Sequence, residues 1–255
     1  EGFLVKDGVD ATSVEGSSNL PYQIPNMLVD LHTTNEQVRV PIQWWRAVGS
    51  THTAYATEVF VDELAVQAKQ DPVKYRATLL TKHPRHAGVL KLVAEKAGWN
   101  KPLAPAGDGA KRGRGIAVHE SFNSFVAQVV EVTVQKDGNF KVDRVVCAVD
   151  CGVVVNPDVV KAQMEGGIGF ALAAALTGEI TLKDGEVQQS NYHDYPVLRI
   201  NEMPKVEVHM VQSGEKPTGV GEPGVPPLAP ALANALFNAT GKRIRKLPIG
   251  EQLKA

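Results

Sequence analysis

The stretch FVAQVVEVTVQKDGNFKVDRVVCAVD, Phe125 to Asp150, decides the fold class. Apolar residues alternate with other residues on both sides of Lys136-Asp137-Gly138, which predicts a β-hairpin. EITLKDGEVQQ predicts a second hairpin around Asp184-Gly185, and KVEVHMVQ predicts a further strand. Because helical patterns flank these strands, we expect an α+β fold with mixed sheets flanked by helices.

Helical periodicity accounts for most of the remaining chain. Helices are predicted, in chain order, in TEVFVDELAVQAKQ, in DPVKYRATLL, over about 84–97, in NPDVVKAQMEGGIGFALAAAL and over about 227–240. Asp71 and Asn156 are expected N-caps, each followed by proline at the first helical position. Gly98 and Gly241 are expected to end the third and the last helix.

Two Pro- and Gly-rich regions suggest the domain organisation. Up to about residue 45 the chain looks extended, with a turn at Asp7-Gly8 and with Pro21, Pro25 and Pro41 opposing a long helix. KPLAPAGDGAKRGRG, residues 101–115, is the best candidate linker. We therefore predict an N-terminal lobe over 1–105, with an extended segment and helices, and a C-terminal α+β lobe over 113–255 that carries Glu222.

Composition excludes several classes of protein. The 255 residues are 43% hydrophobic, which fits a folded domain. The formal net charge of −1 gives no excess of positive charge for binding nucleic acid. The apolar run Met164–Gly178 contains Glu165 and is predicted to be too short to span a bilayer. Cys147 and Cys151 are expected on one face of a strand, without a disulfide or a structural zinc site.

The histidines offer only weak metal or catalytic patterns. His83 and His86 flank the proline of HPRH, and we expect both at the surface. His119-Glu120 and His193-Asp194 could belong to a site or be ordinary half-buried polar pairs. A metallohydrolase using His119, His193 and Glu222 is kept as a minor alternative.

Three further positions could serve a ligand or only the packing. Asp150-Cys151-Gly152 ends a strand before a helix, where ligands often bind, although an aspartate there also suits a turn. Gln163 lies near the positive end of the predicted helix, where its amide could bond a phosphate or a ring. The segment Trp45-Arg46-Ala47-Val48-Gly49 combines a bulky aromatic side chain, a cation and a glycine, which suits either a ligand-binding loop or a packed turn.

The stretch GVGEPGVPP, residues 219–227, fixes one carboxylate between glycines and prolines. Gly219 and Gly221 permit unusual backbone angles and a close approach of the chain. Pro223 favours an extended Glu222. A carboxylate held in this way suits a general base, while the alternative is a solvated loop residue; the residues alone favour the latter.

Several blocks together resemble a known family over nearly the whole chain, most specifically from residue 144 to 249. They are VPIQWWRAVGS, EVFVDELAVQAKQDPVKYRATLL, VVCAVDCGVVVNPDVVKAQMEGGIGFALAAAL, QQSNYHDYPVLR and TGVGEPGVPPLAPALANALFNATGKRIRKLPI. They are similar to the C-terminal half of the molybdenum-binding subunit of the xanthine dehydrogenase/aldehyde oxidase family. The most similar branch is that of the isoquinoline 1-oxidoreductase β-subunit and related bacterial aldehyde dehydrogenases.

The resemblance implies a molybdenum hydroxylase that oxidises an aldehyde or N-heterocycle at an electron-poor carbon with water-derived oxygen. Glu222 matches the glutamate of the GxGE motif, the base that deprotonates a molybdenum-bound hydroxide. Gln163 matches a glutamine that bonds the pterin, and Arg46 lies in the loop beside the metal. The stretch 219–221 (Gly219, Val220, Gly221) matches the backbone approaching the metal, and Trp45 and Val48 are expected in the substrate pocket.

The resemblance also implies partners and a cofactor. Molybdenum is held by the dithiolene of molybdopterin, expected in the cytosine dinucleotide form, so that no protein metal ligand is needed. Electrons leave to 2Fe-2S clusters on a small partner subunit. The cofactor loops with a GQG element are absent, so an N-terminal portion of the large subunit, on this or another chain, is expected.

Three questions stay open at this stage. The motif reads GEPG where many relatives have GEPP, which suggests a slightly looser loop. The chain begins at Glu1, so it is a processed product, an expressed fragment or a piece of something longer, and periplasmic export by a twin-arginine signal is only an expectation. A non-catalytic assembly module of such an enzyme is the main alternative.

Overall fold

The computed structural model describes residues 5–32 and 43–254, so Pro41 and the other positions outside these ranges are not discussed. The strands are β1 Val5–Lys6, β2 Val9–Asp10, β3 Lys111–Ser121, β4 Ser124–Val134, β5 Phe140–Asp150, β6 Leu182–Lys183, β7 Glu186–Val187 and β8 Lys205–Met210. The helices are α1 Ala11–Val14, α2 Ser50–Gln67, α3 Pro72–Leu79, α4 Pro84–Ala97, α5 Pro157–Thr177 and α6 Leu228–Thr240, with a 3₁₀ turn at Ile200–Glu202.

A four-stranded sheet in the order β3-β4-β5-β8 forms the centre of the fold. The first three strands are antiparallel, whereas β8 runs parallel to β5. A parallel neighbour requires a crossover, and the chain between β5 and β8 supplies it with α5. The predicted hairpins and the mixed α+β architecture are thereby confirmed.

Helices cover both faces of this sheet. Helix α6 packs on β3 and β4, and α4 packs on β4 and β5. One apolar core lies between the sheet, α5 and α6, and a second lies between the sheet and α4. The predicted division into two lobes stays a prediction, but α4 and the sheet, which lie on either side of the 101–115 segment, contact each other extensively.

The predicted linker was wrong at its C-terminal end, because residues 111–115 form the start of β3. Gly113 and Gly115 suggested a loop, but they sit where the backbone of α6 touches the strand. A Cβ at Gly115 would lie 2.2 Å from the backbone nitrogen of Ala235, and one at Gly113 would lie 2.3 Å from the Ala235 carbonyl oxygen. These glycines therefore allow α6 to pack closely on the sheet.

Local signals at the helix ends are confirmed. The Asp71 carboxylate accepts hydrogen bonds from the amides of Val73 and Lys74, and the Asn156 side chain does the same for the first turn of α5. Gly98 ends α4 in the left-handed conformation with φ 64°. Helix α2 begins at Ser50, upstream of the predicted segment, which starts at Thr57.

Helix α5 is longer than its apolar run suggested. With 21 residues it is long and apolar enough to cross a membrane by length and composition alone. The prediction concerned the shorter run 164–178 inside it, and for that run it stays a prediction. Its residues Met164, Ile168 and Leu172 are buried in the core that also contains β4 and β5. These buried residues therefore serve the core of the fold.

Both cysteines are free, as expected, and both are buried, but Cys151 lies outside the strand in which it was predicted. Cys147 lies in β5 and Cys151 directly follows it. Burial raises the pKa of the Cys147 thiol to about 12, so this thiol is inert as a nucleophile.

Candidate functional site

Glu222 lies in a connection between β8 and α6 that is tied to the sheet. The Ser124 hydroxyl donates to the Gly219 carbonyl at 2.7 Å, and the Gln128 amide donates to the Gly224 carbonyl at 2.8 Å. The Val225 amide donates to the Glu222 carbonyl and closes a turn. The segment 219–225, called the base loop below, is therefore held at both ends.

The glycines of the base loop do not act through unusual backbone angles. Neither Gly219 nor Gly221 has a positive φ, so this part of the sequence interpretation was wrong. A Cβ at either position would meet nothing within 4 Å. Both glycines therefore leave open space beside Glu222, while Val220 packs partly against the core.

The second part of the site is the segment 45–49, called the arginine loop below. The backbone N–H of Ala47 donates to Oε1 of Glu222 at 2.8 Å. The Arg46 guanidinium donates to the Gly221 carbonyl from Nε, at 2.9 Å, and from Nη2. Each loop therefore bonds a side chain of its own to the backbone of the other, although about 175 residues separate them.

The arginine loop has a strained backbone. Ala47 and Val48 have φ values of 74° and 50°, which is a rare left-handed pair for residues with a Cβ, and Val48 is β-branched. The Glu15 carboxylate fixes the end of the loop by accepting from the amides of Gly49, at 2.8 Å, and Ser50. Strain at these two residues is maintained by contacts on both sides, and it directs the Ala47 N–H towards Glu222.

Helix α5 contributes the third part of the site. Nη2 of Arg46 also donates to Oε1 of Gln163, at 3.1 Å. Nε2 of Gln163 makes no hydrogen bond within the described ranges and is free to donate. Arg46 therefore connects the predicted pterin-binding glutamine to the base loop.

Aromatic rings border the site. The indole of Trp45 stacks on Phe170 of α5 with ring centroids 4.5 Å apart, and the Arg46 guanidinium lies over the same ring. Trp45 and Val48 line an open cleft of about 740 Å³ together with Trp44 and His52. Trp45 also borders a smaller cleft of about 260 Å³ beside α5.

Thus hydrogen bonds join Arg46, Gln163, Gly221 and Glu222, and Gly219 and Val220 lie beside Glu222 in the base loop. Trp45 and Val48 belong to the arginine loop, but the larger cleft that they line does not include Glu222. The structure adds residues that sequence reasoning missed, namely Phe170, Ser124, Gln128 and the backbone amide of Ala47. The polar Gln128 within an apolar strand pattern was the one signal that could have been noticed.

The histidine candidates lie elsewhere. His86 was predicted at the surface but is buried edge-on against Phe125, because α4 packs on the sheet. Burial lowers the pKa of His86 to about 3 and that of His119 to about 4, so both are neutral. His193 is exposed beside Asp194.

Other candidate groups are structural. The Asp150 carboxylate accepts from Arg85 at 2.7 Å and from the Gly152 amide, so it is already fully engaged. No group of three His, Cys, Asp or Glu able to hold a metal occurs in the part of the chain that the structure describes. His119, His193 and Glu222 in particular form no such group.

The site's polar groups suit a cofactor whose metal is held by its own ligands. Glu222 offers one carboxylate oxygen, Gln163 offers an amide donor, and the glycines leave room for a close approach. The residues present therefore fit a molybdenum–pterin group at this position. They cover only one side of it, since the surroundings of Gly219 and Gly221 are open.

The matching family model and the most similar known proteins agree on one family. Residues 51–204, more than half of the chain, match the molybdopterin cofactor-binding domain. The chain is 38% identical over 229 residues to the beta subunit of isoquinoline 1-oxidoreductase from Brevundimonas diminuta, covering 89% of this chain and 29% of that protein. It is 35% identical over 250 residues to a nicotinate dehydrogenase polypeptide from Pseudomonas putida, covering 92% and 21%. The chain thus spans less than a third of the length of these relatives.

Solved structures share the fold. Quinoline 2-oxidoreductase from Pseudomonas putida 86 superimposes with a TM-score of 0.72 at 12% identity, covering 82% of this chain and 52% of that one. Aldehyde oxidoreductase from Desulfovibrio gigas gives 0.69 at 14% identity, covering 82% and 41%. At such identities the likeness concerns the fold alone, and it agrees with the predicted α+β class.

Proposed function

The chain belongs to the molybdopterin-binding xanthine dehydrogenase family, and on that premise we propose that it carries the general base, Glu222, of a molybdenum hydroxylase. One observation carries the proposal. The Ala47 N–H holds Oε1 of Glu222, whereas Oε2 makes no hydrogen bond within residues 5–32 and 43–254, and nothing packs against the neighbouring Gly219 and Gly221 within 4 Å of a built Cβ. A fixed carboxylate with one free oxygen is the arrangement that a proton acceptor requires.

The chemistry divides between the cofactor and the protein. The molybdenum–pterin group, when bound, supplies the water-derived oxygen and accepts the electron pair of the substrate C–H bond. Glu222 accepts the proton released as that oxygen becomes a nucleophile, at its free oxygen. Because Ala47 and the base loop hold the carboxylate before the reaction, little rotational freedom is lost when the proton moves.

Gln163 and Arg46 orient the group in this proposal. The free amide of Gln163 donates to the pterin, and its other end stays fixed by Arg46. Arg46 keeps the Gly221 carbonyl engaged, so the base loop presents its open side to the cofactor. The cytosine dinucleotide form of the pterin is part of the same proposal and would be held mainly by protein outside this chain.

The substrate is proposed to be an aldehyde or an N-heterocycle. The support is the cleft of about 740 Å³ beside the arginine loop, where Trp45 offers a flat apolar surface next to Val48, although Glu222 is not among its lining residues. The relatives are named for isoquinoline and nicotinate, and we extend the class of such compounds, not either compound, to this chain.

The proposal includes partners. The relatives are subunits several times as long as the matched region, so the remainder of the large subunit would complete the cofactor site. A small 2Fe-2S subunit would take up the electrons. Both parts are proposed from the family to which the chain belongs and from the share of the relatives that it spans.

The decisive variant is Glu222→Gln in the complete enzyme. Glutamine keeps an oxygen for the Ala47 N–H but cannot take a proton, so kcat should fall by about 10²–10⁴-fold with molybdenum and pterin content unchanged. Glu165→Gln, in α5 near Gln163, is the matched control and should retain activity. Near-normal turnover of Glu222→Gln would exclude Glu222 as the base.

Metal analysis of the purified complex separates the alternatives. Molybdenum with a pterin supports the proposal. Zinc would point to a metallohydrolase, and a complete complex without metal would point to a non-catalytic assembly module.

A further inference from the structure

Two buried polar side chains project from one face of β4 towards the base loop. Ser124 and Gln128 are both fully buried, although Val126 and Val130 on the same face belong to the apolar core. Residues of a strand that are an even number of positions apart share a face. At about 3.3 Å per residue, Ser124 and Gln128 lie roughly 13 Å apart along the strand.

These two side chains hold the two ends of the base loop. Ser124 donates to the Gly219 carbonyl at 2.7 Å, and its oxygen is also 2.7 Å from the Thr218 hydroxyl. Gln128 donates to the Gly224 carbonyl at 2.8 Å. Glu222 lies between these attachments, so the central sheet sets the position of the carboxylate.

Gln128 is poorly explained as a residue that only stabilises the sheet. Its Oε1 is buried and has no partner within the described residues other than the weakly donating thiol of Cys147, its cross-strand neighbour. A half-satisfied buried amide is unfavourable, and an apolar residue of similar shape would be neutral or better for stability. The hydrogen bond that Gln128 makes goes to the base loop, which indicates that it serves that loop.

We propose that Ser124 and Gln128 are positioning residues for Glu222, fixing both ends of the base loop so that the carboxylate stays on the Ala47 N–H. The proposal rests on Glu222 being the general base. Loss of either attachment should let the base loop move away from the arginine loop. Because the Ala47 amide donates to Glu222, hydrogen exchange at this amide therefore reports whether the carboxylate is in place.

The test compares Gln128→Met and Ser124→Ala in the complete enzyme with wild type. Val132→Ala is the matched control, because Val132 is buried on the same face of β4 but pairs with Gly113, far from the base loop. Hydrogen exchange at the Ala47 amide is measured together with kcat, KM and molybdenum content. Exchange is followed also in β5, to detect general loosening of the sheet.

We expect both variants to speed exchange at Ala47 at least tenfold and to lower kcat at least tenfold, with KM and molybdenum content within twofold of wild type. A misplacement of about 1 Å is enough for a loss of this size. Val132→Ala should change neither Ala47 exchange nor kcat.

Two results would overturn the proposal: unchanged exchange at Ala47, or unchanged kcat in an enzyme that Glu222→Gln inactivates. If Glu222→Gln stays active, the proposed function fails, and exchange at Ala47 alone decides whether Ser124 and Gln128 position the loop. The two failures are therefore distinguishable.

Discussion

For two adjacent glycines of α5 we predict opposite effects of substitution by alanine on the free energy of unfolding. A Cβ at Gly166 would meet nothing within 4 Å, whereas one at Gly167 would lie 3.2 Å from the backbone carbon of Gly224 and 3.3 Å from its Cα. Both glycines lie inside a helix, where alanine is more favourable than glycine by roughly 0.5–1 kcal/mol.

The contacts decide the net effect. At Gly166 the helix gain is unopposed, so Gly166→Ala should raise the free energy of unfolding by up to about 1 kcal/mol. At Gly167 the neighbour is backbone, which cannot rotate away, and overpacking costs roughly 1–3 kcal/mol. Gly167→Ala should therefore lower the free energy of unfolding by up to about 2 kcal/mol and push the base loop away from α5.

The assay is urea unfolding of both variants in the same protein, together with kcat of the complete enzyme. We expect Gly166→Ala to unfold at higher urea than Gly167→Ala, and Gly167→Ala to lose kcat several-fold because the base loop moves by a few tenths of an ångström. Equal stabilisation by both substitutions, with kcat unchanged in each, would refute the close packing of α5 on the base loop.

Three further predictions concern the rest of the fold. Arg76→Met leaves the buried Glu58 carboxylate, now bonded at 2.9 Å, without its cation and should cost about 3–5 kcal/mol in urea unfolding. Arg245→Met at the surface should cost at most about 1 kcal/mol, and equal losses would contradict this reasoning. Burial lowers the pKa of His119 from 6.5 to about 4, so the unfolded chain binds the proton first, and about 3 kcal/mol of stability should be lost between about pH 6.5 and pH 4. His119→Gln should remove that share of the pH dependence, while the buried His86, whose pKa is lowered to about 3, keeps its own share, and an unchanged slope would contradict the reasoning. Because burial raises the pKa of Cys147 to about 12, a thiol reagent at pH 8 should label it only after unfolding, and rapid labelling of the native protein would contradict its burial.

Local chemistry made much of the fold predictable from the sequence. Asp71 and Asn156 cap their helices with side-chain hydrogen bonds spanning two or three residues, so their signals are fully contained in short stretches. The start of α2 was not predictable in this way. Its first amides at Gly49 and Ser50 are satisfied by Glu15, more than thirty residues away.

Tertiary contacts explain the errors. Gly113 suggested a linker because nothing in the local sequence reveals that α6 will pack against that strand. His86 suggested a surface position because the sequence does not reveal that Phe125 will cover it. In both cases the residue type was interpreted for an isolated segment, whereas its partner came from a distant one.

The candidate site shows the same limit more strongly. From spacing alone Glu222 looked like a solvated loop residue, and the family resemblance was needed to connect it with Arg46 and Gln163. The structure then supplied the contact that no local pattern contains, namely the backbone amide of Ala47. Every residue except proline has a backbone N–H, so the residue type at position 47 does not indicate this contact, and it could not have been predicted from the sequence.

The bond between Ala47 and Glu222 also bears on biogenesis. It joins positions 175 residues apart, and closing a loop of that length costs about 4–5 kcal/mol in chain entropy. Packing of the sheet with α6 must compensate for this, and α6 follows Glu222 in the chain. A nascent chain that has not yet synthesised α6 therefore displays Arg46 and Gln163 without a positioned carboxylate. We therefore expect loading of any cofactor at this site to follow synthesis of α6.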